Sequence, residues 1–213
     1  MNNEQKTIGK PDGPTAYFIL GGKNQKPTLK QRYQKWRFGI KKAWAAKRVK
    51  ANPHTLDEVC EYLKTKHGFA ELPTESEEYQ REYREMRAGF LMQYAPELLG
   101  EQRKMPELQG HSEEEIKQFM EAVEARKQLA LKVPKENFDI EFRLFRKQMD
   151  DGEMHVPIEK RYAYLGGGAG GSTKTVREFD KVYKDIYRYY GVTQKDIDSK
   201  SKRYEELLRR LAR

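Results

Sequence analysis

Residues Lys23 to Lys50, KNQKPTLKQRYQKWRFGIKKAWAAKRVK, combine a helical spacing of apolar residues with positive charge that no acidic residue interrupts. The sequence has no aspartate or glutamate between Gly13 and Leu56. The stretch holds 11 of the 42 lysines and arginines, which leaves 31 to set against the 33 acidic residues. The whole net charge of +9 therefore comes from this stretch, and we expect an anionic partner to contact it.

A helix from Thr28 to about Lys50 is predicted by the spacing of the apolar residues. Thr28 is a suitable N-cap, and Asn52-Pro53 ends the helix. One face is formed by residues spaced i, i+4 and i+7, namely Leu29, Tyr33, Trp36, Ile40, Ala43, Trp44 and Lys47. We expect the aromatic residues of this face to pack in the core. The alternative is that they remain exposed and stack on nucleic-acid bases.

The basic residues of this helix are the predicted contacts to a polyanion, RNA or DNA. Lysine and arginine neutralise phosphates and release counterions, and contacts of this kind carry little base specificity. An anionic lipid surface or an acidic protein groove suits the same pattern. The predicted nucleic-acid-binding residues are Lys30, Arg32, Lys35, Arg37, Lys41, Lys42, Lys47, Arg48 and Lys50.

Capping motifs predict where four further helices begin. Each pairs a serine or threonine with a glutamate three residues later: Thr55 with Glu58, Thr74 with Glu77, Ser112 with Glu115, and Thr175 with Glu178. Suitable ends follow at Gly68, Pro96, Pro134 and Gly191, and a last helix is predicted to begin at Thr193.

The stretch from Phe138 to Leu165 fits two structures. Phe138, Phe142, Phe145 and Met149 share one helical face, and an Asp139–Arg143 pair at i, i+4 favours a helix. Alternation of apolar residues around the Asp150-Asp151-Gly152 turn fits a β-hairpin instead. We favour the helix and keep the hairpin as the alternative.

Together these patterns predict a mainly α fold, a soluble multi-helix bundle with a C-terminal helical hairpin. Residues 1–27 form an irregular segment, and residues 28–165 form a helical domain. Residues 166–171 contain five glycines and are predicted to be a hinge. They resemble a phosphate-binding loop, but Thr173 replaces its second glycine, so we expect no nucleotide there. The hairpin comprises residues 172–213.

No catalytic or metal centre is evident. The four histidines, His54, His67, His111 and His155, are too scattered for ligand spacing, and the chain has a single cysteine. Cys60 lies on the apolar face of its helix and is expected to be a buried thiol. We therefore expect no cofactor and no metal, and a binding protein rather than an enzyme.

Composition predicts a cytoplasmic protein. The longest apolar run, Ala16 to Leu20, has five residues, whereas a membrane span needs about 20. The N-terminal residues lack the pattern of a secretory signal. One cysteine permits no internal disulfide and fits a reducing compartment.

A second hypothesis is that the C-terminal hairpin docks on another protein or forms an oligomer. Tyrosines are enriched at protein interfaces because they bury a large area at a small entropic cost. The tyrosines proposed for this surface are Tyr183, Tyr187, Tyr189, Tyr190 and Tyr204.

Asp12-Gly13-Pro14-Thr15, followed by the apolar residues Ala16 to Leu20, resembles the DGPT segment of the β subunits of biotin-dependent, sodium-translocating decarboxylases. The sequence APELLG at residues 95–100 resembles a second piece of that family. In the family the aspartate lies at a broken transmembrane helix on the ion path. The resemblance implies a role for Asp12 and Thr15 alone, in a small protein or accessory subunit that shares the motif.

Overall fold

The computed structural model describes residues 7–8, 18–19, 28–104 and 112–212. The α-helices in this part of the chain are α1 (Leu29–Arg48), α2 (Leu56–His67), α3 (Glu77–Tyr94), α4 (Glu113–Lys132), α5 (Thr173–Tyr190), α6 (Gln194–Ser199) and α7 (Lys202–Ala212). A 3-10 helix spans Pro96–Arg103. The strands are β1 (Thr7–Ile8), β2 (Phe18–Ile19), β3 (Ala70–Glu71), β4 (Phe142–Met149), β5 (Gly152–Glu159), β6 (Tyr164–Leu165) and β7 (Gly168–Gly171).

The predicted mainly α fold is confirmed. Strands β1 and β2 pair antiparallel within the segment predicted to be irregular. A second sheet has the order β3-β4-β5-β6, with β7 pairing with β5. None of the helices in the described ranges has the length and apolar composition that a membrane span requires.

Most predicted helix starts are confirmed at the predicted cap. Thr28, Thr55 and Ser112 each accept a hydrogen bond from the backbone N–H three residues later, and each forms a complete capping box. Two starts are shifted. Ser76 rather than Thr74 caps α3, and Ser172 rather than Thr175 caps α5. Local hydrogen bonding sets these positions, so a neighbouring serine competes as the cap.

The preferred helix at residues 138–149 is wrong, and the alternative hairpin is correct. Strands β4 and β5 run on either side of the Asp150-Asp151 turn. Arg146 of β4 forms an ion pair with Glu153 of β5, a contact that a helix would not make. The residue types fit either period, so only pairing with a second strand decides between them.

The predicted hinge is only partly correct. Residues 168–171 are strand β7, whose register with β5 pairs Gly152 with Gly171 and His155 with Gly168. A Cβ atom on Gly152 would overlap the carbonyl oxygen of Gly170. The glycines therefore allow two backbones to approach closely, which is a different use of glycine from chain flexibility.

The chain divides into two compact units, each built from several separate stretches of the sequence. In the described part of the chain from residue 28 on, unit 1 contains residues 72–104, 112–144 and 159–166, and unit 2 contains residues 28–71, 145–158 and 167–212. The chain passes from unit 1 to unit 2 between Gly166 and Gly167, within the glycine segment.

Unit 1 is built around the packing of α3 on α4. Its apolar core includes Phe90, Leu91, Ala130 and Leu144. The buried guanidinium of Arg87 donates hydrogen bonds to the carbonyl oxygens of Phe138 and Val133, at 3.0 and 2.7 Å. These bonds attach the segment after α4 to α3. The two carbonyl oxygens also replace the water that the guanidinium loses on burial.

Glu159 is the most deeply buried carboxylate described in unit 1, with no exposed surface. One carboxylate oxygen accepts hydrogen bonds from the backbone N–H groups of Glu141 and Arg161, at 2.9 and 3.2 Å. The other accepts from the N–H of Tyr162 at 2.7 Å. Burial of this side chain is possible because backbone donors replace water.

Unit 2 packs α2, α5 and α7 together, with α1 against α7. Val59, Cys60 and Leu63 of α2 and Ile186 of α5 are fully buried. The prediction that Cys60 is a buried thiol is confirmed.

The segment after α1 is attached to the end of α5 by backbone hydrogen bonds. The Asn52 N–H donates to the Val192 carbonyl at 3.0 Å, and the His54 N–H donates to the Tyr190 carbonyl at 3.1 Å. Arg203 of α7 lies over the Tyr190 ring at 3.7 Å and donates to the carbonyl oxygen of His54 at 3.0 Å. One arginine therefore connects three parts of unit 2.

The predicted last helix is two helices. Lys200 adopts a left-handed conformation with φ of +50°, which ends α6. The Ser201 hydroxyl donates to an Asp196 carboxylate oxygen at 2.6 Å and accepts a hydrogen bond from the Tyr204 N–H at 3.3 Å. This side-chain bonding to α7 favours the break over a continuous helix.

Unit 2 is expected to lose stability in acid through Asp196. The Ser201 hydroxyl, more than the opposing effect of burial, holds the pKa of the Asp196 carboxyl below its ordinary value of 3.8. A carboxyl with a lowered folded-state pKa stabilises the protein above the unfolded-state pKa, and this contribution disappears as the pH falls toward the folded-state value.

Urea unfolding at pH 7 and at pH 3 measures this effect. Asp196→Asn should cost about 1 kcal/mol at pH 7 and much less at pH 3. The exposed Asp198→Asn is the matched control and should change neither value. An equal loss at both pH values would contradict the assignment.

Candidate polyanion-binding surface

Helix α1 packs on α7 by the face opposite to the one predicted. Its half-buried positions are Phe38, Lys42, Ala45, Ala46 and Val49, and none of its residues is fully buried. Phe38, Lys42, Ala45 and Val49 follow the same i, i+4, i+7 spacing as the predicted face, but they lie on the other side of the helix. Lys42 also forms an ion pair with Glu205 of α7 at 2.5 Å.

The prediction that the aromatic face of α1 lies in the core is therefore wrong. We call this face the apolar stripe; it consists of Leu29, Tyr33, Trp36, Ile40 and Trp44, which are 82, 58, 61, 40 and 61% exposed. Single exposed apolar side chains are ordinary, but five on one face of one helix form a continuous patch. Such a patch indicates a binding surface.

The aromatic rings of the stripe are arranged with their faces accessible. Tyr33 and Trp36 lie 5.8 Å apart between centroids, at an angle of 34°. The Arg48 guanidinium lies 5.3 Å from the centre of the Trp44 ring. Flat rings and a neighbouring guanidinium are the groups on which bases stack.

The predicted cationic residues surround the stripe. Arg32 and Lys35 lie along one side of it, and Lys30, Arg37 and Lys41 lie along the other. Lys42 is the exception, because it is half-buried in the contact with α7. All the other predicted cations are exposed: Lys30, Arg32, Lys35, Arg37, Lys41, Lys47, Arg48 and Lys50.

Carboxylates of the later helices leave most of this charge uncompensated. Within residues 28–104 and 112–212, no ion pair involves Lys30, Arg32, Lys35, Arg37, Lys47, Arg48 or Lys50. Lys42, in contrast, has a carboxylate partner, Glu205 of α7. The positive surface of α1 is therefore available to an external anion.

Two cationic residues that the sequence did not lead us to predict, Lys184 and Arg188, lie on α5. Burial first, and then the nearby positive charges of Arg188 and Lys41, lower the pKa of the Lys184 ammonium group. Lys41 is on α1, so the positive surface extends from α1 onto α5. No local pattern could have revealed this, because the two helices are far apart in the sequence.

The tyrosines of the second hypothesis do not form a docking surface. Tyr183, Tyr187, Tyr190 and Tyr204 are buried, with 2 to 7% of their surface exposed. Tyr189 lies between the rings of Tyr62 and His54, at centroid distances of 3.9 and 4.0 Å. These side chains form the interior of unit 2 because α5 packs on both α2 and α7.

His54 and His67 make structural contacts. A ring nitrogen of His54 lies 2.6 Å from the Tyr189 carbonyl oxygen, and one of His67 lies 3.1 Å from the Asp185 carboxylate. In the described ranges, no group of three or more metal-ligating side chains comes together. His111 lies outside these ranges.

Asp12 and Thr15 of the DGPT segment also lie outside the described residues. The second matching piece, residues 95–100, forms the start of the 3-10 helix, where Leu99 is buried. Comparisons of the chain with protein-family models, curated proteins and solved structures find no match.

Proposed function

We propose that this chain is a non-catalytic protein that binds single-stranded nucleic acid, RNA or DNA, through α1. The observation that carries the proposal is the combination of uncompensated cations and exposed aromatic rings on one helix. Proteins that bind single strands use the same two elements, a positive surface for the backbone and rings for the bases.

The cations supply the affinity in this proposal. Phosphates lie along both sides of the stripe on Arg32, Lys35 and Arg37, and each contact releases counterions into solution. Binding must therefore weaken steeply with salt. With about five phosphates neutralised, the slope of log K against log[salt] for a single strand is about −3.5.

The aromatic rings explain the preference for unpaired bases. Tyr33, Trp36 and Trp44 stand on the outside of the helix, where a base can stack only if it has left its own duplex. Removing one such ring typically costs about 1 to 3 kcal/mol per base. Trp36→Ala should therefore weaken binding by about tenfold without affecting α7, because Trp36 faces away from it.

Fluorescence anisotropy with a labelled 20-nucleotide RNA tests the proposal in the full chain. The triple variant R32Q/K35Q/R37Q is expected to bind at least about tenfold more weakly and to show a smaller salt slope. The control K132Q/K174Q/K195Q removes the same charge from exposed lysines outside α1. No binding at low salt, a flat salt dependence, or an equal loss in the control contradicts the proposal.

A further inference from the structure

A pocket of about 550 Å³ lies in unit 2 between α1, α7, the end of α5 and residues 49–52. Its apolar wall is formed by Ala45 of α1, by Val49 directly after α1, and by Leu207 and Leu211 of α7. Trp44 of the apolar stripe stands at the same pocket. The volume falls within the range of ordinary small-molecule sites, about 300 to 1,000 Å³.

The polar groups of the pocket are nearly all cationic. Lys41, Arg48, Lys50 and Arg188 line it together with Asn52, and no aspartate or glutamate of the described residues does. Cations from α1, from the segment after it and from α5 converge on one apolar cavity. Lining of this kind matches a ligand that has an apolar body and an anionic head.

The electrostatics of the neighbouring lysine agree with this arrangement. The pKa of Lys184 is lowered first by burial and then by the charges of Arg188 and Lys41, which both line the pocket, and these effects outweigh the opposing charge of Asp180. Repulsion between these cations is relieved when an anion lies among them.

We infer that this pocket binds a single-chain amphipathic anion, with its chain against Leu207 and Leu211 and its carboxylate or phosphate head among Lys41, Arg48 and Arg188. The pocket shares Trp44 and cations of α1 with the surface proposed for RNA, but its apolar wall on α7 takes no part in that surface, so this activity goes beyond nucleic-acid binding. A free fatty acid and a lipid monophosphate share the required chemistry.

Tryptophan emission provides a direct readout. The chain has two tryptophans, so Trp36→Phe leaves Trp44 at the pocket as the single reporter. Titration with dodecanoate or dodecyl phosphate, below the micellar concentration, should give a saturable blue shift as Trp44 becomes covered. Tighter binding of dodecanoate indicates a free fatty acid as the natural ligand, and tighter binding of dodecyl phosphate indicates a lipid phosphate. Dodecanol should bind at least about tenfold more weakly, since it lacks the charge.

Two variants in this background separate the pocket from its surroundings. Ala45→Phe fills the apolar wall and should abolish the shift, whereas Ala43→Phe places the same ring on the exposed side of α1 and should not. Arg188→Glu reverses a charge at the head-group end and should weaken binding about tenfold. Lys195→Glu makes the same reversal outside the pocket and should have no effect. Circular dichroism checks that each variant is folded.

The inference is overturned if dodecanol binds as tightly as dodecanoate, if Ala43→Phe acts like Ala45→Phe, or if Lys195→Glu acts like Arg188→Glu. It is also overturned if the emission responds only to phosphatidylglycerol vesicles and Ala45→Phe keeps that response, because the stripe would then be the contact. RNA binding by the Ala45→Phe variant should remain within about twofold, because Ala45 carries no charge and lies outside the apolar stripe, so failure of one proposal leaves the other distinguishable.

Discussion

Replacing Glu159 by alanine is expected to lower the free energy of unfolding by about 3 to 5 kcal/mol. The carboxylate is fully buried and accepts hydrogen bonds from the backbone N–H groups of Glu141, Arg161 and Tyr162. Alanine would leave three partly buried backbone donors without this partner and would open a cavity. These two penalties act in the same direction, which makes this the most damaging single truncation we expect in unit 1.

Urea unfolding followed by circular dichroism measures this loss. Glu159→Gln should show a smaller loss, because one side-chain oxygen remains an acceptor while the new amide group faces a backbone donor. The exposed Glu136→Ala is the matched control in the same unit and should change stability by less than about 0.5 kcal/mol. A Glu159→Ala protein as stable as this control would show that the backbone donors find other partners.

Gly191→Ala is expected to cost unit 2 about 3 kcal/mol or more. Gly191 closes α5 with φ of +58° and ψ of −160°, a conformation that is largely restricted to glycine. A Cβ atom there would overlap the carbonyl oxygen of Asn52. Relieving this overlap would separate the segment after α1 from the end of α5 and break the Asn52–Val192 hydrogen bond.

Thermal unfolding compares this variant with Gly39→Ala. Gly39 lies within α1, and nothing stands within 4 Å of the position that its Cβ would occupy. The Gly39 substitution should therefore stabilise the helix by up to about 1 kcal/mol. Equal effects of the two substitutions would mean that the junction at Gly191 tolerates a side chain.

The sequence predicts those features of the fold that local interactions decide. Thr28, Thr55 and Ser112 cap their helices as predicted, since capping depends on atoms three residues away. The hairpin of β4 and β5 was not the preferred structure, because its residues satisfy both periods and only the partner strand decides between them. The two-unit division was also missed, because residues 28–71 pack with the C-terminal helices.

The sequence predicted which cations form the candidate surface, but it did not predict which face of α1 is exposed. A stretch without acidic residues identifies the cations, and this inference requires no tertiary structure. The two sides of α1 carry equally regular stripes, and larger residues favoured the wrong one as the buried face. Packing on α7, with the ion pair between Lys42 and Glu205, makes the choice, and the spacing within α1 contains no information about α7.

Because α1 packs on α7, unit 2 cannot complete its fold during synthesis until α7 has been translated. Lys42 and its partner Glu205 are 163 residues apart in the chain. At about 5 to 20 residues per second, Lys42 of α1 is translated roughly 8 to 33 seconds before Glu205 of α7. Throughout that interval both sides of α1 are uncovered. A nascent chain paused before α7 should therefore depend on chaperones more than the finished protein does.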